Sequence, residues 1–352
     1  MSKKLSLLTD KNMRGTTIVA IGAFFLGTLL GAGVFYVMEF KKAPSPIRAL
    51  RESDLPTATT GYKFIDPLIG IRGNNDVQKY DSIKNEVSDF IDEQKKNGLQ
   101  VATVYFKDIN EPGGFVINPD EKYTPASLNK VPVMMAYYNI AESNPSILTK
   151  EIYYSGDKDS NAVEEIRSPV QLIPGHSYTV EELIQRMIRY SDNNAADLLT
   201  QNLESTNNLP AYAAVFKDLG IDPALLKNYT DTITAQQYAI FMRTLYNATY
   251  LNRDYSEHAL TLLSMTDFTE GVEAGVPNDV VISEKFGEVR MVDPQGNFLG
   301  KEINNCGIIY YPQHPYLLCV MTKASGNDIK ALENDISSIS RIVYKGMQKL
   351  YP

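Results

Sequence analysis

Tryptophan is absent from this chain, cysteine occurs twice and histidine three times. Cys306 and Cys319 are too few to staple a disulfide-rich scaffold. His176, His258 and His314 are too scattered for a His/Cys zinc site, and nothing in the sequence points to a metal or organic cofactor. An excess of positive charge is also missing. The formal net charge is −8, so the basic footprint of a nucleic-acid-binding protein is not there and no such partner is expected. Compositional bias is lacking as well: 43% apolar and 22% charged is ordinary globular usage, which excludes wholesale disorder. At 352 residues the chain suits one large domain with an appendage, or two ordinary domains.

The appendage is visible at the N-terminus. Thr16 to Met38 is a run of 23 residues without a charge, flanked by Lys11 and Arg14 before it and Lys41 and Lys42 after it. As a helix it would extend about 34 Å, enough to cross a hydrocarbon core. It ends in Val34-Phe-Tyr-Val-Met38, a poor cleavage site, and no cysteine follows for lipidation, so an uncleaved signal-anchor is expected. Positive charge is nearly balanced across the two flanks. A short N-terminal tail before a large domain favours an outward-facing domain. Ala23, Gly27 and Gly31 form a small-residue face on which two such helices could pair as a weak homodimer. The expected organisation is a tail over 1–15, a transmembrane anchor over 16–38, a Pro- and Ser-containing stalk over 39–75 and a folded domain over 76–352. Within the stalk, the apolar island from Tyr62 to Ile71 is expected to dock on the domain.

Within the domain, Ile83, Val87, Phe90 and Ile91 predict an amphipathic helix ending at Gly98. Leu99 to Ile109 alternates like a strand, Gly113-Gly114 turns, and Phe115 to Ile117 returns as a second strand. From Ser127 to about Leu263 the periodicity is mostly helical. Strands follow over Val280–Val292, Ile303–Tyr311 and Tyr316–Thr322, and a last helix runs over Asp328–Leu350. Strands at both chain ends around a helical insertion predict one α+β domain, its sheet closed by the terminal segments. Cys306 and Cys319 lie on the two strands around the 312–315 turn, as a cross-strand bridge or as two buried thiols.

Three short motifs carry the chemistry. Ser127-Leu-Asn-Lys130 opens an apolar helix, placing a hydroxyl among free N–H groups with an amine one turn on. By itself this pattern arises by chance. A second copy, Ser155-Gly-Asp-Lys158, sits in a polar stretch and reads as surface. Ser191-Asp192-Asn193 falls between two helices, the second of them starting at Ala195-Ala-Asp-Leu-Leu199, where these residue types most often serve as caps. Lys285-Phe286-Gly287 lies on a strand, where a lysine is usually solvated and Gly287 would let a substrate backbone lie close.

Taken together, and in this order, the motifs match the S-x-x-K, S-D-N and K-T-G set. From about Tyr80 onward the chain resembles the class A β-lactamase-like, penicillin-recognising serine hydrolases. The resemblance implies a β-lactamase-like α+β domain in which Ser127 is the nucleophile and Lys130 its base or electrostatic aid. It implies that Ser191 relays a proton to the leaving nitrogen under the influence of Lys285, and that Asn193 orients the substrate amide or Lys130. The N–H groups of Ser127 and Glu288 would hold the oxyanion.

Two departures stand out. Phe286 replaces the hydroxyl residue that holds the β-lactam carboxylate, and its ring would narrow or dry the pocket. No E-x-x-L-N loop is present: Glu204 lies far upstream, and Asp222 and Asp231 are the carboxylates near the matching position. Acylation has its parts and rapid deacylation does not. The expected function is a membrane-anchored, extracytoplasmic bacterial hydrolase with slow β-lactam turnover. The alternatives are a penicillin-binding D,D-peptidase or amidase acting on peptidoglycan peptides of the cell wall, and a degenerate wall- or partner-binding domain.

Overall fold

The computed structural model describes residues 62–66, 78–222 and 232–352. All of them fall in one compact unit spanning Thr59–Pro352. The expected transmembrane anchor, its helix-pairing face and most of the stalk lie outside the described residues, as does Asp231. Among the described residues no helix is long and apolar enough to cross a membrane.

Helix α1 (Asp81–Lys95) buries Ile83, Val87 and Ile91 along one stripe. It leads into β1 (Leu99–Asp108) and its hairpin partner β2 (Gly114–Ile117). After the helical insertion come β5 (Ile282–Val292), β6 (Phe298–Ile309) and β7 (Tyr316–Ala324), then α8 (Ile329–Leu350), whose N-terminus is capped by the Asp328 side chain. The five strands form an antiparallel sheet in the order β2-β1-β7-β6-β5. Chain-terminal strands therefore meet in its middle, as the sequence pattern predicts. Leu332, Ile336, Ile339 and Val343 of α8 join Ile83, Val87 and Ile91 of α1 in the core under one sheet face.

The other face carries the insertion: α2 (Lys130–Ser143), α3 (Val180–Arg189), α4 (Asn193–Ser205), α5 (Leu209–Asp218), α6 (Ala235–Tyr246) and α7 (Arg253–Leu263). Its local signals are explicit. Thr179 and Glu182 form a capping box on α3, Thr234 and Gln237 form another on α6, and Asn252 caps α7. One part departs from the helical expectation. Glu151–Tyr154 (β3) and His176–Thr179 (β4) pair as a small hairpin. Between them runs an irregular segment, 155–175, that proves central to the site.

The Tyr62 island docks as expected over its described residues. The Glu257 carboxylate accepts from the N–H groups of Lys63, Phe64 and Ile65 at 2.7, 2.8 and 3.0 Å, and Phe64 packs edge-on against Tyr310. Cys306 and Cys319 are register partners on β6 and β7 and are joined as a disulfide. Thiol titration of the denatured, unreduced domain is therefore expected to find no free thiol, and two after reduction; two before reduction would contradict the bridge.

Candidate active site

Because β5 is an edge strand, half its backbone groups are free of ladder partners, and the site is built against that edge. Ser127 does not begin an α-helix directly. It lies in one 3₁₀ turn, Ala126–Asn129, and Lys130 is the first residue of α2. Ala126, just before it, is held at φ 48°. A non-glycine residue there is strained, and such strain persists where packing over-determines it. The packing is visible. A Cβ on Gly287 would come within 2.9 Å of the Pro125 carbonyl oxygen and 3.1 Å of the Ser127 nitrogen. Gly287 thus admits the serine turn against β5, rather than leaving room for a substrate backbone.

Ser191 is the second strained position, at φ 51° between α3 and α4. The triplet divides its labour. Asp192 is the cap, its carboxylate accepting from the N–H groups of Asn194 and Ala195 at 2.8 and 3.1 Å. Ser191 and Asn193 on either side are left to face the cleft.

Four sequence-identified residues converge. Lys130 Nζ donates to the Ser191 carbonyl at 2.5 Å, to Ser191 Oγ at 3.1 Å and to Asn193 Oδ1 at 2.6 Å. Lys285 Nζ donates to the same Ser191 Oγ at 2.9 Å. A hydroxyl has two lone pairs and one proton. With both lone pairs engaged by lysines, the Ser191 O–H is the part left to donate outward. The hydrogen bonds of Lys130 run to Ser191 and Asn193 rather than to half-buried Ser127, so contact with that serine requires the amine to turn.

Burial sets the charge states. It pulls Lys130 down to about 8, opposed chiefly by the charge of Glu164. Lys285 is pushed well below the usual lysine range by burial first and by neighbouring Lys130 second. Two lysines with lowered proton affinity on one hydroxyl are an arrangement for proton transfer.

Phe286 does not simply line a pocket. Its buried ring stacks on Phe268, centroids 3.9 Å apart, and lies 4.5 Å from Lys285 Nζ. It walls off the end of the site with hydrocarbon and helps keep Lys285 dry.

Glu164 has no place in the three motifs, yet it reaches the centre. Its carboxylate accepts from Asn193 Nδ2 at 2.6 Å. It arrives on the irregular segment, which crosses the cleft as a strap. On the helical side, Asn161 Oδ1 accepts from the Asn193 N–H at 2.7 Å and the Ser160 N–H donates to Asn194 Oδ1 at 2.7 Å. On the sheet side, Glu288 Oε1 accepts from the N–H groups of Glu165 and Ile166 at 2.7 and 3.2 Å, and Lys301 pairs with Glu165. The Glu288 side chain thus holds the strap; burial first, and the neighbouring Glu164 carboxyl second, raise its own carboxyl to about 8. The cleft left between Ser191 and the strap is narrow, bordered by Asn161, Glu164, Arg167 and Tyr190. Lys158 of the second S-x-x-K copy is exposed, with an ion pair to Asp197, as a surface residue would be. Among the described residues no three His, Cys, Asp or Glu side chains converge as a metal site.

Residues 82–347 match the β-lactamase enzyme family. The chain belongs to that family. It is a serine hydrolase of β-lactamase type, and the fold agrees. A class A β-lactamase from Mycobacterium abscessus is 22% identical, with a TM-score of 0.62 over 76% of this chain and 99% of that one. A β-lactamase from Sphaerobacter thermophilus DSM 20745 is 20% identical, with a TM-score of 0.61 over 76% and 98%. A mutant of PBP-A, solved as an acyl-enzyme complex with penicillin G, is 18% identical, with a TM-score of 0.60 over 76% and 97%. No curated protein sequence matches significantly.

Proposed function

We propose that this hydrolase works through an acyl-enzyme on Ser127. The observation that carries the reading is the convergence of Lys130 and Lys285 on Ser191 Oγ, beside a serine turn seated against the β5 edge. In the neutral form, Lys130 turns from Ser191 and takes the Ser127 proton as the hydroxyl attacks an acyl carbonyl. The developing oxyanion lies between the N–H groups of Ser127 and Glu288. Lys130, now protonated, turns back to Ser191, which passes its proton to the departing nitrogen and is reprotonated from Lys130. Asn193 keeps the amine in register.

The slow step is hydrolysis of the ester. The loop that would carry a deacylating glutamate holds none between Glu204 and Thr232. This absence supports a second reading on the same chemistry, a penicillin-binding peptidase or amidase. A mutant of PBP-A, similar in fold, was solved as an acyl-enzyme complex with penicillin G. The uncharged run over 16–38 supports anchoring in the cell membrane with the hydrolase domain outside, facing peptidoglycan. A pulse of fluorescent penicillin followed by a chase tests the reading. Label that appears and fades over minutes to hours supports it, and folded protein that never labels counts against it.

Phe286→Thr has two opposed expected effects. It restores a hydroxyl for a substrate carboxylate, so β-lactam acylation should quicken. It also removes a ring that is 5% exposed and stacked on Phe268, which should destabilise the domain by about 3 kcal/mol. Denaturant melts and labelling rates on the same variant check both. Faster labelling without lost stability would contradict the packing, and slower labelling would contradict the carboxylate argument.

A further inference from the structure

We propose that Glu164, delivered by the strap, is a positioning residue for Lys130: it fixes the orientation of the Asn193 amide and supplies a counter-charge to the amine. The inference rests on the reading of Lys130 as the base for Ser127. The first part follows from donor and acceptor chemistry. A side-chain amide can turn over, exchanging its oxygen and nitrogen. A carboxylate only accepts, so Glu164 at 2.6 Å and the Ser160 carbonyl at 3.3 Å both require the nitrogen on their side. The oxygen is thereby turned to Lys130, where it accepts at 2.6 Å. Had the amide turned the other way, it would present an N–H to the ammonium and break the register.

The second part concerns charge. Lys130 is 5% exposed. The groups whose charges reach it are Lys285 on β5, Glu164 on the strap, Asp192 at the α4 cap and Asp197 on α4. Asp192 is committed to the helix N-terminus, and Asp197 to Ser160 and Lys158. Glu164 is the carboxylate joined to the amine through a single side chain. The strap holds it there through the Glu165–Lys301 pair and through Glu288, so the chain assigns this carboxylate to the site from a segment upstream of the S-D-N triplet.

Glu164→Gln tests both parts with the shape nearly unchanged. Removal of a counter-charge lowers the lysine midpoint, so Lys130 should titrate about one pH unit lower. The acid limb of the acylation profile, which follows the neutral amine, should move down with it. Glu164→Asp keeps the charge and should leave the midpoint within about half a unit of wild type. The primary readout is NMR titration of ¹³Cε-labelled lysine, with Lys130 assigned by Lys130→Gln; it needs no substrate. A lowered midpoint in Glu164→Gln, with recovery in Glu164→Asp, supports the proposal. An unchanged or raised midpoint in folded Glu164→Gln overturns it. If the midpoint moves but no variant acylates, the positioning stands and the acyl-enzyme reading fails.

Discussion

Ser127→Ala is expected to abolish covalent labelling, lowering acylation by at least ~10³ and by as much as ~10⁶, the range seen when a hydrolase loses its nucleophile. The expectation comes from position rather than from the S-x-x-K pattern, which the chain contains twice. Ser155 of the second copy is exposed, in a segment without a helix behind it. Ser127 is half-buried in a turn whose neighbour is strained at φ 48° and whose backbone nitrogen lies against Gly287. The hydroxyl makes no contact on which the core depends. The variant should accordingly melt within a few degrees of wild type, since losses away from packed features are small. Thermal melts and penicillin labelling on the same preparation check it. A folded variant that labels at the wild-type rate would place the nucleophile elsewhere.

The second large effect concerns deacylation. In wild type a β-lactam should give a rapid burst equal to the enzyme present, followed by a slow steady rate. General-base help to the hydrolytic water is worth roughly 10²–10⁴ in rate. The carboxylate that the geometry does place near the site, Glu164, accepts from Asn193 Nδ2 at 2.6 Å, so it is held as a partner for Lys130 rather than freed for a water. Rapid mixing with a chromogenic β-lactam separates the two phases. Turnover in the hundreds per second without a burst would mean that some group does activate water.

Much of the fold was legible because its signals are local. Ile83, Val87 and Ile91 repeat every four residues, Thr179 and Glu182 sit at capping-box spacing, and β1 alternates in burial from Val104 to Asp108. The site elements were legible for the same reason: a serine entering an apolar helix, a cap triplet between two helices and a lysine on a strand. The strap was not. Its anchors join residues far apart in the chain, as Glu165 does with Lys301 and the 165–166 amides with Glu288, and no periodicity announces such contacts. The β3–β4 hairpin escaped because each strand has four residues and 21 separate them. The sequence marks Gly287 as a place of close approach, but which backbone approaches depends on tertiary packing. Phe286 read as a substituted binding residue; its stacking on Phe268 needed the structure.

The most direct test is time-resolved intact mass of the folded protein during exposure to benzylpenicillin, followed by peptide mapping. The account predicts one adduct per chain, carried by the peptide containing Ser127, persisting for minutes or longer and absent from Ser127→Ala. No adduct at any time on folded protein, or an adduct on another residue, would contradict it.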